Sequence, residues 1–337
     1  MTKARKTPWW KDWPLLAAER IARQVYWNSP ALRRWVKRVR ANRPPRPQVA
    51  DREALKRHLK EIGVTEGALV MAHTAVTGLC LTSGPAPVLP RANVLATANQ
   101  LVDDLLELVG PSGTLVMPTH AAYQNEETFV APAANSPPIR YDPATTPCGV
   151  GLANEVFWRR KGSQRSLHPY NMVAARGPLA AELLRDNLND SKPLPHGIHS
   201  AYYRFCQRNG LVVSVGVSLA RSMTLIHVAE ETRDQQWPIK DFFMERQYVV
   251  NVDGRDKTYV VREHRPEYAM FCICERKLMR DLVGEGILHE GTVGTVQVGW
   301  AHSAEVVAYI LDRNRTSPYP YYWPWLMRKP SSAADRK

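Results

Sequence analysis

Val109-Gly-Pro-Ser-Gly-Thr-Leu-Val-Met-Pro-Thr-His120 is the segment whose reading decides the fold. Before it, Val94 to Val109 carries apolar residues at helical spacing, and Gly110 is the residue type that ends a helix. Gly113 to Pro118 is then a short apolar run between turn residues, which reads as a strand buried on both faces. The pattern returns at Gly67-Ala-Leu-Val-Met-Ala72 and at Leu211-Val-Val-Ser-Val-Gly216. Helical periodicity separates these runs, starting at about residue 51 (DREALKRHLKEIG) and recurring near 150–160 and 178–187. The alternation predicts an α/β fold, a layered central sheet flanked by helices. From Tyr248 to Val261 strand-like alternation surrounds Asp253-Gly254, so a more β-rich C-terminal lobe is expected at about 240–300, closed by a helix from Ser303 to Arg313.

The 337 residues allow one large unit or two smaller ones, and 44% hydrophobic with 23% charged residues supplies a sizeable core. That composition excludes a disordered or fibrous chain. No window approaches the roughly 18 apolar residues of a spanning helix, and the N-terminus lacks the apolar region of a secretory leader, so a cytoplasmic protein is expected. Five scattered cysteines, at 80, 148, 206, 272 and 274, show no CxxC pairing. They read as reduced thiols, and no metal site is expected.

The net charge of +13 is unevenly placed. Residues 1–50 hold 13 Lys and Arg against Asp12 and Glu19, whereas residues 51–337 hold 32 basic and 30 acidic side chains. The chain therefore divides into a basic, Trp-rich arm with a Pro-rich linker (1–50), a nearly neutral body (51–330) and a frayed tail (331–337). Within the arm, Leu15, Ala18, Ile21, Ala22, Val25 and Tyr26 recur at helical spacing. Pro30 opens a second helix with Leu32, Trp35, Val36 and Val39 opposite Arg33, Arg34, Lys37, Arg38 and Arg40. Two readings of the arm stay open. It binds an anionic membrane surface, which makes the protein peripheral on the inner face, or it packs on the body or on the second subunit of a homodimer. The C-terminal SPYPYYWPWLMRKP has the same aromatic and basic character. Nucleic acid is disfavoured as a partner, because the body is neutral and no binding motif appears.

Glycine-rich phosphate loops, HExxH and GxSxG are absent from the sequence. Three segments hold residues suited to chemistry. In Arg165-Ser-Leu-His168-Pro169, Pro169 biases His168 toward extended backbone, which gives either a base near neutral pH or a hydrogen-bonded loop histidine. In Thr224-Leu-Ile-His227-Val-Ala-Glu230-Glu231, helical spacing would set a hydroxyl, an imidazole and carboxylates on one face. That face could orient a base and stabilise an oxyanion, or be a polar surface with a local ion pair. His73-Thr74 follows a buried strand directly, at the sheet end where open α/β proteins bind ligands.

In order, the segments VMAHTA (70–75), VGPSGTLVMPTH (109–120), YDPATTP (141–147), RSLHP (165–169), PHGIHS (195–200), SVGV (214–217) and TLIHVAEE (224–231) resemble the aminoglycoside 3-N-acetyltransferase, or antibiotic N-acetyltransferase, family. The resemblance runs from residue 52 to about 315. It implies a fold of that type and an enzyme that moves an acetyl group from acetyl-CoA to an amine. It implies His168 as general base on the amine, Glu230 as the carboxylate that holds the imidazole with Glu231 as fallback, and Thr224 as donor to the thioester carbonyl. His73, Thr74 and Ser166 would meet the co-substrate CoA, while Asp142, Glu155 and Glu231 would face the amine acceptor. Departures cluster on the acceptor side, where a P-F-G motif reads Pro195-His196-Gly197 and the positions after HP are Tyr170, Asn171 and Met172. They point to the same reaction on another acceptor, an amino sugar or sugar nucleotide ahead of a polycationic drug. An acyl group other than acetyl also stays open.

Overall fold

The structure is a computed structural model and describes residues 13–42, 46–82, 93–123, 137–219, 223–233, 237, 239, 241–265, 268, 273–315 and 319–321. Most of SPYPYYWPWLMRKP, Cys272 and the tail 331–337 lie outside the described residues.

The arm is two helices, α1 (Trp13–Asn28) and α2 (Pro30–Ala41), as the spacing predicts. Ser29 Oγ accepts from Leu32 N and caps α2, and Pro30 sits in the first turn, where a missing N–H breaks no helical bond. Arg23 bridges Glu19 and Glu275, so α1 is tied to the body.

The body begins slightly earlier than expected, with β1 (Gln48–Asp51), because this strand pairs in parallel with β3 (Leu79–Thr82). Asp51 Oδ1 accepts from Ala54 N and starts α3 (Arg52–Glu61). Beyond it, β2 (Leu69–Thr74), α4 (Val94–Val109) and β4 (Thr114–Pro118) reproduce the deciding segment, with Gly110 at φ +62° ending α4. Arg52 forks onto the buried carboxylate of Asp104 at 2.7 and 2.9 Å, joining α3 to α4.

Seven strands form the central sheet: β2, β4, β6 (Gln164–Arg165), β7 (Val173–Arg176), β8 (Leu211–Val215), β11 (Leu288–Val293) and β12 (Val296–His302). Their order is β11-β12-β8-β2-β4-β7-β6, parallel through β8, β2 and β4 and antiparallel at both margins. Alternate residues of one strand feed opposite cores. Val70, Ala72, Leu115 and Met117 pack with α3, α4 and α5 (Leu152–Trp158). Met71, Val116 and Val212 pack on the other face with α7 (Ala201–Gln207), α8 (Ile226–Glu231), α9 (Glu275–Gly284) and α10 (Ser303–Arg313). The short α6 (Ala180–Leu184) covers that face beside α7.

The β-rich stretch divides in a way the sequence did not indicate. The hairpin β9 (Phe243–Val252) and β10 (Arg255–His264) turns at Asp253 and Gly254, both at positive φ, as a two-residue primed turn requires. It forms a separate three-stranded sheet with β5 (Ile139–Tyr141), which pairs in parallel with β9. The following β11 and β12 return to the central sheet. The small lobe is thus assembled from two distant segments around Tyr141, Tyr170, Met172, Tyr248, Val250 and Val261.

Candidate active site

At the carboxyl end of β2, His73 and Thr74 are buried. The β8 end closes on the following turn: Ala75 N donates to Val215 O at 3.0 Å, and Gly216, at φ +77°, is so near that a Cβ there would meet Ala75 O at 2.4 Å. His73 Nε2 has no hydrogen-bond partner, and burial lowers its pKa to about 4. Thr74 is committed to the scaffold. Its hydroxyl donates to Asn154 Oδ1 at 3.1 Å, and Asn154 in turn donates to Pro118 O at 2.6 Å. At the end of the neighbouring β4, His120 Nε2 lies 3.2 Å from Tyr202 Oη, and burial, reinforced by His196 and His73, lowers its pKa to about 3. Tyr202 is also hydrogen-bonded to the side chain of Thr224, which completes a His120–Tyr202–Thr224 chain.

His168 lies in the loop between β6 and β7, hung from the small lobe. The phenols of the buried Tyr141 and the half-buried Tyr123 donate to the carbonyls of Ser166 and Pro169 at 2.6 and 2.5 Å. Ser166 Oγ accepts from His168 N and donates to Asn187 Oδ1, both at 3.0 Å. His168 Nδ1 is 2.8 Å from Tyr170 O and 3.2 Å from Tyr170 N; the shorter contact, to the carbonyl, favours the tautomer protonated at Nδ1 and leaves the lone pair on Nε2. Pro193 O lies 3.5 Å from that Nε2. Burial lowers the pKa of His168, partly opposed by the Tyr170 carbonyl and the charge of Glu231. A small cavity of about 10 Å³, roughly the room one water needs, touches His168, Asn171, Asn187, Pro195 and Tyr202.

The carboxylates depart from the expected arrangement. Helix α8 starts at Ile226, so Thr224 sits in the turn before it, its carbonyl accepting from His227 N at 3.2 Å. Glu230 does not hold His168. Its Oε2 is 2.8 Å from His227 Nδ1 and 3.2 Å from His264 Nε2, and its Oε1 accepts from Tyr321 at 2.5 Å. Glu231 instead accepts from His196 twice, from N at 2.5 Å and from Nδ1 at 2.7 Å. The two adjacent carboxylates pair with different imidazoles, His227 and His196, and both lie against His264, so neither touches the imidazole that the Tyr170 carbonyl already binds. Burial pushes both pKa values up, but the neighbouring imidazoles outweigh it and both carboxyls end below the usual range.

Ser166, expected at CoA, positions the His168 backbone. Asp142 Oδ1 accepts from Ala144 N at 2.8 Å and makes a local turn. Glu155 accepts from Cys148 N at 2.8 Å, Trp158 Nε1 at 2.7 Å and Arg159 Nε at 2.5 Å. The carboxylates expected to face a cationic acceptor therefore all have partners within the chain, because each belongs to a turn, a helix end or an imidazole pair. His120, Tyr202, Asn187 and His264 were not read from the sequence as site residues, and His196 and Asn171 were read only as departures on the acceptor side. His120 follows a buried strand just as His73 does, a signal that could have found it. His264 ends a strand of the other lobe and has no such signal.

The profile described as aminoglycoside 3-N-acetyltransferase matches residues 91–313. Aminoglycoside N(3)-acetyltransferase IV of Salmonella sp is 28% identical over 274 residues, 79% of this chain and 88% of the relative. Aminoglycoside N(3)-acetyltransferase IX of Micromonospora chalcea is 26% identical over 259 residues, covering 72% of this chain and 85% of its own. Among solved structures, a point mutant of aminoglycoside acetyltransferase AAC(3)-IVa in complex with apramycin is 25% identical, with a TM-score of 0.57 and coverage of 80% of this chain and 93% of that one. AAC-IIIb in binary complex with CoASH, 20% identical, has the same fold, with a TM-score of 0.63 over 81% of this chain and 100% of that one.

Proposed function

This chain belongs to the aminoglycoside 3-N-acetyltransferase family and is an N-acetyltransferase, and from that premise we propose that it moves the acetyl group of acetyl-CoA onto an amine of an amino sugar or aminoglycoside-like acceptor, with His168 as general base. The observation that carries this reading is the buried His168, whose Nδ1 lies 2.8 Å from a carbonyl, which leaves Nε2, 3.5 Å from Pro193 O, as the atom that takes a proton. Its depressed pKa keeps it neutral at pH 7, the form a base needs.

Acetyl-CoA supplies the activated acyl carbon and a thiolate leaving group. The amine forms the new N–C bond as the C–S bond breaks, and its proton goes to His168 Nε2 and then to the departing sulfur. The imidazolium formed on the way has Pro193 O at 3.5 Å and the charge of Glu231 to stabilise it. Thr224, in the chain with Tyr202 and His120, is the donor for the negative charge that develops on the thioester oxygen. His73, with its buried Nε2 lacking a partner at the end of β2, suits a carbonyl or amide of the donor. Asp142, Glu155 and Glu231 already have partners, which supports an acceptor with few positive charges.

Thiol release with acetyl-CoA against aminoglycosides, amino sugars and nucleotide-linked amino sugars tests this. Replacing His168 with Ala should lower turnover by about 10²–10⁴-fold while acetyl-CoA still binds. Near-normal turnover in that variant refutes the assignment.

A location at an anionic membrane is the reading we favour for the arm. Ile21, Val25 and Trp35 are 62%, 52% and 60% exposed on α1 and α2, beside the exposed Arg34, Lys37 and Arg38. Among the described residues no helix is long and apolar enough to cross a membrane. Co-sedimentation of the full chain with anionic vesicles should drop in the variant carrying Ser at 21, 25 and 35. Equal partitioning ends the idea.

A further inference from the structure

Apart from the charge of Glu231, the mechanism above leaves unused a buried group of imidazoles and carboxylates where α8 meets the end of β10. His227 and Glu230 stand one turn apart on α8, and His264 reaches them from the small lobe. One ligand atom from each lies within 4.8 Å of the other two. Glu230 Oε2 is 2.8 Å from His227 Nδ1 and 3.2 Å from His264 Nε2, and Glu231 Oε1 is 3.1 Å from the same His264 Nε2. Tetrahedral zinc with bonds of about 2.0–2.1 Å holds its ligand atoms about 3.4 Å apart. The two contacts of His264 Nε2, at 3.2 and 3.1 Å, are close to that figure, while His227 Nδ1 and Glu230 Oε2 stand at hydrogen-bond distance and would open by about 0.6 Å to take the ion.

Two further features point to a cation. His264 is 4% exposed, and its Nε2 is aimed between the two carboxylates without a directed hydrogen bond to either. Glu230 is also supported as metal-binding carboxylates are: Tyr321 donates to Oε1 at 2.5 Å, which leaves Oε2 for the shared point. The His227 and His264 ring centroids are only 4.4 Å apart, and a divalent cation at that point balances both carboxylates.

We propose that His227, Glu230 and His264, with Glu231 at the fourth side, bind a zinc ion that ties α8 to the small lobe. The site joins the helix that follows Thr224 to the lobe from which the His168 loop hangs, so its role is to hold those two parts in register. Binding releases whatever protons the imidazoles carry, so zinc affinity rises with pH. The expectation of no metal rested on missing CxxC and HExxH patterns, and neither pattern covers a ligand set completed by a distant strand.

The test uses the full chain, stripped with a chelator, given zinc sulfate alone, desalted and assayed for zinc, independently of acetyl transfer. Stoichiometric retention in the wild type, loss in His264→Ala, and about 10–100-fold weaker affinity in Tyr321→Phe are expected. A wild type that retains no zinc overturns the proposal, and so does a His264→Ala variant that retains it fully. Should His264→Ala fail to fold, cobalt(II) added to the stripped wild type decides: intense tetrahedral visible bands support the site, and their absence removes it.

Discussion

Ser166→Ala separates two roles for a residue whose sequence motif and whose contacts disagree. The motif sets Ser166 at CoA, whereas its hydroxyl is fully used inside the protein, 3.0 Å from His168 N and 3.0 Å from Asn187 Oδ1. Alanine removes one acceptor and one donor and leaves two groups in a buried setting without partners. Each orphan costs about 1–3 kcal/mol, so a loss of about 2–6 kcal/mol is expected. With a urea slope of about 3 kcal/mol/M the unfolding midpoint should fall by about 0.7–2 M. The His168 backbone would also lose its tether, and a displacement near 1 Å costs on the order of 100-fold in rate. The assays are urea unfolding and initial-rate kinetics with acetyl-CoA varied. The expected result is a lower midpoint and a lower kcat with KM for acetyl-CoA unchanged. An unchanged midpoint with a raised KM for acetyl-CoA would refute the reasoning and return Ser166 to the donor site.

Acidification supplies a second check. His73 and His120 have folded pKa values of about 4 and about 3, below the unfolded value near 6.5, so the unfolded chain takes up protons first. Stability should be flat in these two groups above about pH 6.5 and fall by about 1.4 kcal/mol per pH unit for each as the pH drops below it. Urea midpoints that stay level from pH 7 to pH 5 would contradict their burial as neutral rings. The acid limb of kcat/KM should likewise lie below about pH 6.5, because burial lowers the pKa of His168. An inflection above pH 7 would exclude that base. Asp142→Asn keeps an oxygen for Ala144 N, so acceptor KM should change by less than about twofold and stability by less than about 0.5 kcal/mol. A tenfold rise in KM for a cationic acceptor would restore Asp142 to the binding site.

Much of this protein was legible in its sequence, because local patterns carry local structure. The apolar runs at 69–74, 114–118 and 211–215 are strands buried on both faces, and a strand with no polar face has few places to go but the centre of an α/β sheet. Asp253-Gly254 announced its hairpin through the positive φ that the turn demands. The order of short motifs carried the family, and His168 sits in the buried loop that its proline marks.

What the sequence did not determine is which groups meet. Glu230 and Glu231 are neighbours in the chain, yet one pairs with His227 and Tyr321 while the other pairs with His196, and His264 lies against both. Helical spacing sets the angle at which a side chain leaves its backbone and says nothing of what another segment brings to that place. The same holds for the hydroxyl of Ser166 and the carboxylates of Asp142 and Glu155, whose residue types suit a ligand equally well before the chain satisfies them itself. The small lobe, built from β5 and a hairpin far along the chain, supplies both the tyrosine that suspends the His168 loop and the imidazole of His264. Composition and periodicity fix elements one at a time. Long-range packing decides the site, because burial obliges each polar group to find a partner, and only the folded chain decides which one is within reach.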